Sequence, residues 1–141
     1  LPVSVDSIKG NINDVAGVRV ICSFVDDIYT ISEMLTSQTD ITLISQKDYI
    51  EHPKPNGYRS FHMIIEVPIY TSTGKQIAPV EIQIRTIAMD FWASLEHQLH
   101  YKSIGNATAS SSLTGELKHC AETIASIDLK MQEMFNQINN L

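Results

Sequence analysis

Two segments of alternating apolar and polar residues constrain the fold of this chain more than any other feature. Residues 58–67 and residues 80–85 both alternate with a period of two, which predicts β-strands buried on one face. A short polar connection that includes Gly74 joins them, so an antiparallel hairpin is the simplest pairing. Its apolar face would consist of Phe61, Met63, Ile65, Val67, Val80, Ile82 and Ile84. Its opposite face, suited either to plain solvent exposure or to binding, would consist of Tyr58, Ser60, His62, Glu81, Gln83 and Arg85.

The other segments of the first half predict a mixed α/β domain. Residues 15–24 are β-rich with Arg19 as their one charge, which predicts a strand buried on both faces. A helix is expected to begin at Asp26, because acidic side chains favour a helix N-terminus, and a short strand is expected at residues 41–45. Residues 46–57 contain two prolines and a glycine, so we expect a loop there.

Two helices are predicted in the C-terminal part. Residues 87–102 carry apolar side chains at a spacing of four, namely Phe91, Leu95 and Leu99. A Gly- and Ser-rich linker, residues 103–112, should separate the core (residues 1–102) from a last helix over residues 113–141. The apolar residues of that helix alternate at spacings of four and three: Leu113, Leu117, Cys120, Ile124, Ile127, Met131, Met134, Ile138 and Leu141. So narrow a stripe favours a helix–helix seam between subunits over packing on its own domain.

Composition excludes several classes of protein. The 141 residues are 43% hydrophobic, enough for one domain with a core, and no apolar run approaches the length of a membrane span. The net charge of −6 argues against a broad nucleic-acid surface, although Lys47, Lys54 and Arg59 concentrate positive charge locally. Cys22 and Cys120 are predicted to be free buried thiols, not a disulfide or a metal site.

Three clusters could carry chemistry. Asp14 stands at the mouth of the first strand, a basic and aromatic loop spans residues 47–62, and Glu81 lies within a strand. Each has an ordinary alternative, such as a turn residue for Asp14 and a tight Pro-Asn-Gly turn for the loop. Together they provide what phosphoryl transfer needs, since carboxylates hold Mg²⁺ and cations neutralise the charge on the transferred group. Neither a Walker A sequence nor a kinase glycine-rich loop occurs, which argues against those enzyme classes.

Three stretches, in order, carry a family resemblance: NDVAGVRVICSF, YIEHPKPNGYRSFH and VEIQIRTIAMDFWASLEHQLHYK. They resemble the small alarmone synthetases, relatives of the long RelA/SpoT enzymes, from about Ser4 to the end of the chain. The resemblance implies an α/β (α+β) nucleotidyltransferase-like fold, a mixed β-sheet flanked by helices with a long C-terminal helix. It also implies a cytoplasmic bacterial enzyme that transfers pyrophosphate from ATP to the 3′ hydroxyl of GTP or GDP, giving (p)ppGpp in the stringent response. No His-Asp dipeptide occurs, so the hydrolase domain of the long relatives is not expected.

The resemblance implies specific roles for residues at the matching motif positions. Asp14 and Glu81 match the family's magnesium-binding carboxylates, and Glu81 is also its expected general base. Tyr58 matches the tyrosine that stacks on guanine. Residues that match those around the phosphates of the guanine nucleotide are Lys47, Lys54, His62 and Asn56. Further motif positions, expected to contact phosphate or support the site, are Arg19, Arg59, Gln83 and Arg85.

One departure from the family concerns the ATP donor. The family binds ATP through an Arg/Lys-rich helical segment upstream of the first strand, whereas Lys9 is the one basic residue before Asp14. We expect either that this segment is disordered or removed, or that the chain is a natural variant that lacks donor binding. In the second case the chain would be a non-catalytic guanine-nucleotide-binding or assembly module, and a toxin-like synthetase with another acceptor is a further alternative. The family's homotetramers agree with the C-terminal stripe, and regulation by (p)ppGpp or RNA stays open.

Overall fold

A four-stranded mixed sheet is the centre of the fold in the computed structural model, which describes residues 16–141 and, for residues 107–110, the backbone alone. The elements in chain order are β1 (Ala16–Cys22), α1 (Val25–Thr36), β2 (Thr42–Asp48), β3 (Phe61–Thr71), β4 (Gly74–Thr86), α2 (Ile87–Lys102) and α3 (Ala107–Asn139). The strand order is β1-β4-β3-β2, with β1 parallel to β4 and the other pairs antiparallel. The predicted mixed sheet with flanking helices and a long C-terminal helix is confirmed.

The β3–β4 hairpin forms as the alternation predicted. Thr71 pairs with Gly74 across a tight turn, and the φ of Gly74 is +117°, which a side chain would disfavour. His62 lies opposite Gln83, so the polar residues of the two strands share one face. The apolar face forms the main core, which contains Cys22, Ile28, Phe61, Met63, Ile65, Ile82, Ile84 and Met89.

The prediction that the first strand is buried on both faces is wrong. Val18 is 49% exposed and Ile21 is 43% exposed, and the core receives mainly Cys22. β1 pairs with β4 alone within residues 16–141, so it is an edge strand of the described sheet. β-branched residues favour an extended backbone in edge strands and in central strands alike. The run of such residues in β1 therefore predicted a strand but not whether its two faces are covered.

α1 begins as its acidic residues indicated. The side chain of Asp27 accepts a hydrogen bond from the backbone N–H of Phe24 at 3.2 Å, and Ile28 is fully buried. β2 extends three residues beyond the predicted strand, so Lys47 lies on a strand and not in the loop. Asp48 ends it, accepting hydrogen bonds from the Tyr29 hydroxyl at 2.7 Å and from two backbone amides of the following turn.

α2 buries a different face from the one predicted. Its spacing-four residues Phe91, Leu95 and Leu99 are exposed by 59%, 42% and 42%, whereas Met89 and Trp92 are buried. Trp92 packs against α3 and its Nε1 donates to the carbonyl oxygen of Leu117 at 2.9 Å. Helical periodicity identifies an apolar stripe, but the element against which a stripe packs depends on long-range contacts. None of the helices within residues 16–141 is both long and apolar enough to cross a membrane.

α3 begins at Ala107, before the predicted start, so the predicted linker shortens to the turn around Gly105. The reason is that no glycine or proline interrupts residues 107–113, and alanine favours helix. The side chains that α3 buries against its own domain are Leu117, Ala121, Asp128 and Gln132. The predicted stripe divides: Leu113, Leu117 and Ile124 pack with Trp92 on the same domain, whereas the later members Ile127, Met131, Met134 and Ile138 are exposed. Over that later part the seam lies roughly a quarter turn from the stripe.

The two cysteines differ in burial. Cys22 is a buried free thiol, as predicted, whereas Cys120 is free but exposed, which corrects the prediction. Because the inward seam of α3 is displaced from the apolar stripe, Cys120 points away from the domain that holds the helix. Burial raises the pKa of the Cys22 thiol, and the nearby carboxylate of Asp27 adds to that rise.

The polar residues in the α3 seam have specific partners. The hydroxyl of Thr86, the N-cap of α2, donates to Asp128 Oδ2 at 2.6 Å and accepts from the backbone N–H of Met89 at 3.1 Å. Gln132 Oε1 accepts from the backbone N–H of Asp26 at 2.9 Å. These bonds attach α3 to the ends of α1 and α2.

We expect Asp128→Ala to lower the free energy of unfolding by about 1.5–3 kcal/mol, the usual contribution of a hydrogen bond to a charged group. The carboxylate is 4% exposed, so the Thr86 hydroxyl would lose its acceptor in a place that water does not reach. Urea denaturation measures the loss. Lys130→Ala on the exposed side of α3 is the control and should change the free energy by no more than about 0.5 kcal/mol. Equal midpoints for the two variants would contradict the assignment.

Candidate functional site

A row of four polar residues crosses the sheet, one from each strand. Lys47 of β2 pairs with His62 of β3, His62 with Gln83 of β4, and Gln83 with Arg19 of β1. Residues directly opposite one another project from the same face, so the row lies on the face away from the main core. Glu81 stands two residues from Gln83 and shares that face. The sheet therefore assembles five of the sequence-predicted residues.

Arg85, at the end of β4, is the buried centre of a hydrogen-bond network. The residue is 3% exposed, and its Nη2 donates to Gln83 Oε1 at 2.6 Å and to Tyr58 Oη at 3.2 Å. Its Nη1 lies 3.4 Å from Asp90 Oδ1. Gln83 Nε2 in turn donates to Glu81 Oε1 at 3.1 Å. Burial lowers the pKa of the Arg85 guanidinium.

Aromatic rings and a lysine gather beside this network. The hydroxyl of Tyr58 is 2.9 Å from His62 Nε2, and the ring of Tyr49 meets both of these rings edge-on. The ammonium group of Lys54 lies 5.0 Å from the ring centroids of both Tyr49 and Tyr58, within cation–π range. Tyr58 also packs with Trp92, whose ring centroid is 6.4 Å away.

The loop that carries Tyr58 is also a tight turn. The N–H of Gly57 donates to the carbonyl oxygen of Lys54 at 2.8 Å, and Asn56 Oδ1 accepts from the N–H of Tyr58 at 3.0 Å. Gly57 has a φ of +99°, and a Cβ there would lie 2.5 Å from the Cβ of Ala121 on α3. Glycine is thus required both by the backbone and by the helix. The sequence suggested either a tight Pro-Asn-Gly turn or a basic loop, and in the structure the same segment is both.

Arg59 does not join the polar face. Its side chain lies on the core side of the sheet, where it lines a small cavity with Met89 and Trp92. Burial lowers the pKa of its guanidinium, and attraction to Asp128 of α3 opposes that effect. Arg59 therefore lies apart from the polar face that holds the other basic residues predicted for the site. Alternation reverses the side chain at each residue, so the neighbour of Tyr58 faces the helices.

Glu81 is the described member of the predicted magnesium pair, because Asp14 lies outside the described residues. Glu81 is half-buried and lines two adjoining cavities, one of about 230 Å³ with Lys47 and His62 and one of about 260 Å³ with Arg19. Residues 16–141 contain no cluster of three or more His, Cys, Asp or Glu side chains that could hold a metal. Magnesium, however, is usually held by one or two carboxylates together with substrate phosphates, so Glu81 facing open space fits that ion.

The environment of His62 lowers the pKa of its ring, which favours the neutral form. Burial is the largest cause of its lowered pKa, and the positive charges of Arg85, Lys54 and Lys47 add to it, while Glu81 acts in the opposite direction.

The free energy of unfolding should therefore fall as the pH decreases below about 6.5. The unfolded chain binds a proton on this histidine at its ordinary pKa, whereas folded His62 takes one only at a lower pH. The loss is complete once the pH is below the folded pKa. Urea denaturation between pH 7.5 and 5 measures it, and His62→Gln should remove this part of the pH dependence. His97→Gln, on the exposed side of α2, should leave it unchanged; similar profiles for both variants would refute the assignment to His62.

Sequence reasoning missed three residues of the site: Tyr49, Asp90 and Trp92. Tyr49 is an aromatic residue two positions after Lys47 in the basic segment, and this position could have identified it as part of the site. Asp90 lies 3.4 Å from Arg85 and 3.7 Å from Arg19, and its position in the first turn of α2, shortly after β4, pointed to such a contact. Nothing in the sequence indicated that Trp92 would support the ring of Tyr58.

Comparison with known proteins adds a family context to this geometry. Residues 4–106 match the model of a region found in RelA/SpoT proteins. The chain is 49% identical over 129 residues to the GTP pyrophosphokinase YwaC of Bacillus subtilis, covering 92% of this chain and 60% of YwaC. It is 42% identical over 125 residues to the GTP pyrophosphokinase YjbM of the same organism, covering 89% of this chain and 58% of YjbM. The chain thus spans about 60% of the length of these curated relatives.

Two solved structures share the fold. The crystal structure of small alarmone synthetase 2 from Bacillus subtilis has a TM-score of 0.84 at 45% identity, covering 95% of this chain and 77% of that chain. Small alarmone synthetase 1 from the same organism, bound to its product pppGpp, has a TM-score of 0.82 at 38% identity, covering 98% of this chain and 69% of that chain. Because the coverage of this chain is nearly complete, the similarity includes the helices as well as the sheet.

Proposed function

The chain belongs to the RelA/SpoT family, and from this membership and the site geometry we propose that it is the synthetase part of a GTP pyrophosphokinase. The reaction is the transfer of pyrophosphate from ATP to the 3′ hydroxyl of GTP or GDP, giving (p)ppGpp. The observation that carries the proposal is the polar sheet face, where Glu81 lies between the Lys47–His62 cavity and the Arg19 cavity. A carboxylate with cationic groups on both sides suits two phosphate-bearing substrates that react beside it.

The acceptor nucleotide would occupy the side of the site near β2 and β3. Its guanine base stacks on the ring of Tyr58, in the place that the exposed Lys54 side chain now covers. Lys54 and Lys47 then neutralise the phosphates, and His62 donates a hydrogen bond to them. Asn56 holds the turn through its carbonyl oxygen, which leaves its NH₂ group as a donor toward the nucleotide.

Glu81 would act as the general base. One carboxylate oxygen accepts the hydrogen bond from Gln83, and the other is left to take the proton of the 3′ hydroxyl. The 3′ oxygen attacks the β-phosphorus of ATP, the bond from that phosphorus to the α–β bridging oxygen breaks, and AMP leaves. Mg²⁺ held by Glu81 and Asp14 would neutralise phosphate charge when bound. Arg19, whose side chain is 57% exposed and lines a cavity with Glu81, would contact the donor phosphates.

Incubation with radiolabelled ATP and GTP tests the proposal, for this chain and for one extended upstream. Labelled pppGpp should form with the extended chain, because the family's ATP-binding segment precedes the first strand. Tight GTP binding without turnover by both forms would instead indicate a non-catalytic binding module. Absence of both binding and turnover would refute the proposal. Since the substrates are nucleotides of the cytoplasm, we place the reaction there.

Tyr58→Ala should weaken GTP binding by roughly 1–3 kcal/mol, the contribution of one base–aromatic stack. Isothermal titration calorimetry with GTP measures the loss. Tyr70→Ala is a matched control, because Tyr70 is 78% exposed near the tip of the β3–β4 hairpin, far along the strand from His62. Unchanged affinity of Tyr58→Ala would exclude the stack.

We also propose that the protein assembles through α2 and α3 into a homo-oligomer, a tetramer by family resemblance. The exposed apolar side chains of the two helices border a cavity of about 450 Å³ that Ile87, Phe91, Ile127 and Met131 line. Contiguous apolar surface of this kind marks an interaction site. Its occupant would be the same helices of another copy.

A further inference from the structure

We propose that Arg85 is a positioning residue that holds the general base and the base-stacking ring in one fixed relation, through Gln83 on one side and the hydroxyl of Tyr58 on the other. The inference rests on the proposed function, because it takes the roles of Glu81 and Tyr58 from there. Its motif position led us to expect either a phosphate contact or support of the site, and the inference assigns Arg85 the second role.

The burial and partners of Arg85 argue against a phosphate contact. The side chain is 4% exposed, and both terminal nitrogens are directed at protein acceptors, in contrast to the exposed ammonium groups of Lys47 and Lys54. Its Nε has no hydrogen-bond partner within the described part of the chain. A buried guanidinium with an unpaired N–H costs stability. A role in the site accounts for its presence better than a contribution to folding.

The first connection orients Glu81. An arginine N–H can only donate, so the short contact from Nη2 must reach the oxygen of the Gln83 amide and not its nitrogen. The NH₂ group of Gln83 is then necessarily turned toward Glu81, to which it donates at 3.1 Å. Arg85 thereby determines which end of the amide faces the carboxylate. With the amide reversed, an oxygen would face the Glu81 carboxylate and repel it.

The second connection orients Tyr58. Nη2 of Arg85 also donates to Tyr58 Oη at 3.2 Å, and its guanidinium carbon lies 5.7 Å from the ring centroid. Tyr58 Oη also lies 2.9 Å from His62 Nε2. In the proposed arrangement the phenol accepts from Arg85 and donates its own hydrogen to Nε2, which places the proton of neutral His62 on Nδ1. One guanidinium thus sets the base, the ring and the tautomer of the histidine.

Nη2 reaches both acceptors while Nη1 lies 3.4 Å from Asp90, so the planar guanidinium is held at a second point. Lysine has one flexible ammonium group and lacks that second attachment, so it would not hold the two acceptors in a fixed relation. A displacement of about 1 Å in a reacting group can lower a rate by about 100-fold. Loss of the positioning by Arg85 should therefore lower the rate by up to about this factor.

Steady-state kinetics of three variants in the intact protein test the inference. Gln83→Met, which keeps the volume, should lower kcat about 10- to 100-fold with little change in KM for GTP, since only the base is released. Tyr58→Phe, which keeps the ring, should raise KM for GTP a few-fold with little change in kcat. Arg85→Lys should show both defects. Gln38→Met, exposed just beyond the end of α1, is the control and should behave as the wild type.

Long-range ¹H–¹⁵N spectra of the histidine rings give a readout that does not depend on activity. The wild type should show His62 with a bare Nε2, and both Tyr58→Phe and Arg85→Lys should change that pattern. A wild-type kcat in Gln83→Met, or an unaltered His62 tautomer in Arg85→Lys, would overturn the inference. Loss of folding without either kinetic signature would also overturn it. If the wild type makes no alarmone, the proposed function fails, and the tautomer measurement still decides the role of Arg85.

Discussion

Glu81→Gln is expected to lower the rate of pyrophosphate transfer by at least about 100-fold, within the range for removal of a general base. The amide has the shape of the carboxylate but cannot take the proton of the 3′ hydroxyl, and it brings no negative charge to a metal ion. The fold should survive, because Glu81 is half-buried on the polar face and contributes nothing to the main core. Formation of labelled pppGpp from radiolabelled ATP measures the rate. Asp14→Asn should cause a comparable loss by the family resemblance.

Glu66→Gln is a matched control for this prediction. Glu66 lies on β3 four residues from His62, on the same sheet face, opposite Pro79. The substitution removes the same charge from the same face but at a distance from the two cavities, so its rate should stay at the wild-type level. Near-normal synthesis by Glu81→Gln, or equal losses in the two variants, would remove Glu81 from the proposed mechanism.

Met134→Asp is expected to dissociate the proposed oligomer into smaller particles that keep their helical circular dichroism. Met134 is 48% exposed on α3, in line with the exposed Ile127, Met131 and Ile138. A second copy that covered this line would bury an unpaired carboxylate, at a cost of several kcal/mol unless the subunits separate. Within one chain the same substitution costs little, because the inward seam of α3 lies on another face. Light scattering at micromolar concentration measures the particle size.

Ser126→Asp supplies the control for the oligomer. Ser126 is exposed on α3, away from both the inward seam and the apolar line, so an added carboxylate there should leave the particle size unchanged. The assignment fails if the wild type is a monomer at micromolar concentration. It fails equally if both variants dissociate, because a general effect of charge would then explain the result.

The sequence determined the features that depend on local geometry. Side chains alternate between the two faces of any strand. The apolar and polar faces of the β3–β4 hairpin could therefore be predicted from the residue type at every second position. The turn at Gly74 follows in the same way from one glycine that accepts a positive φ. The two paired faces then placed His62, Glu81 and Gln83 together, because the hairpin register is set within a short stretch of chain.

The tertiary structure decided whatever depends on which elements meet. In the tertiary structure β1 is an edge strand of the described sheet. α2 buries Met89 and Trp92 and leaves Phe91 exposed, and α3 packs on the domain with Asp128 buried. An apolar stripe on a helix can pack on the core of its own domain or on a partner subunit. The sequence alone does not indicate which of these two surfaces covers it.

Burial of charge was decided at the same level. Arg59 and Arg85 look alike in the sequence as basic motif residues, yet one faces the helices and the other lies at the centre of the polar network. Local pattern assigns each arginine to a face of its strand, but the groups that meet it come from the loop before β3, from α2 and from α3. Water is excluded from a guanidinium only when those distant segments pack around it. Because Arg85 is buried in this way, its N–H groups donate to Gln83 and Tyr58 and not to solvent.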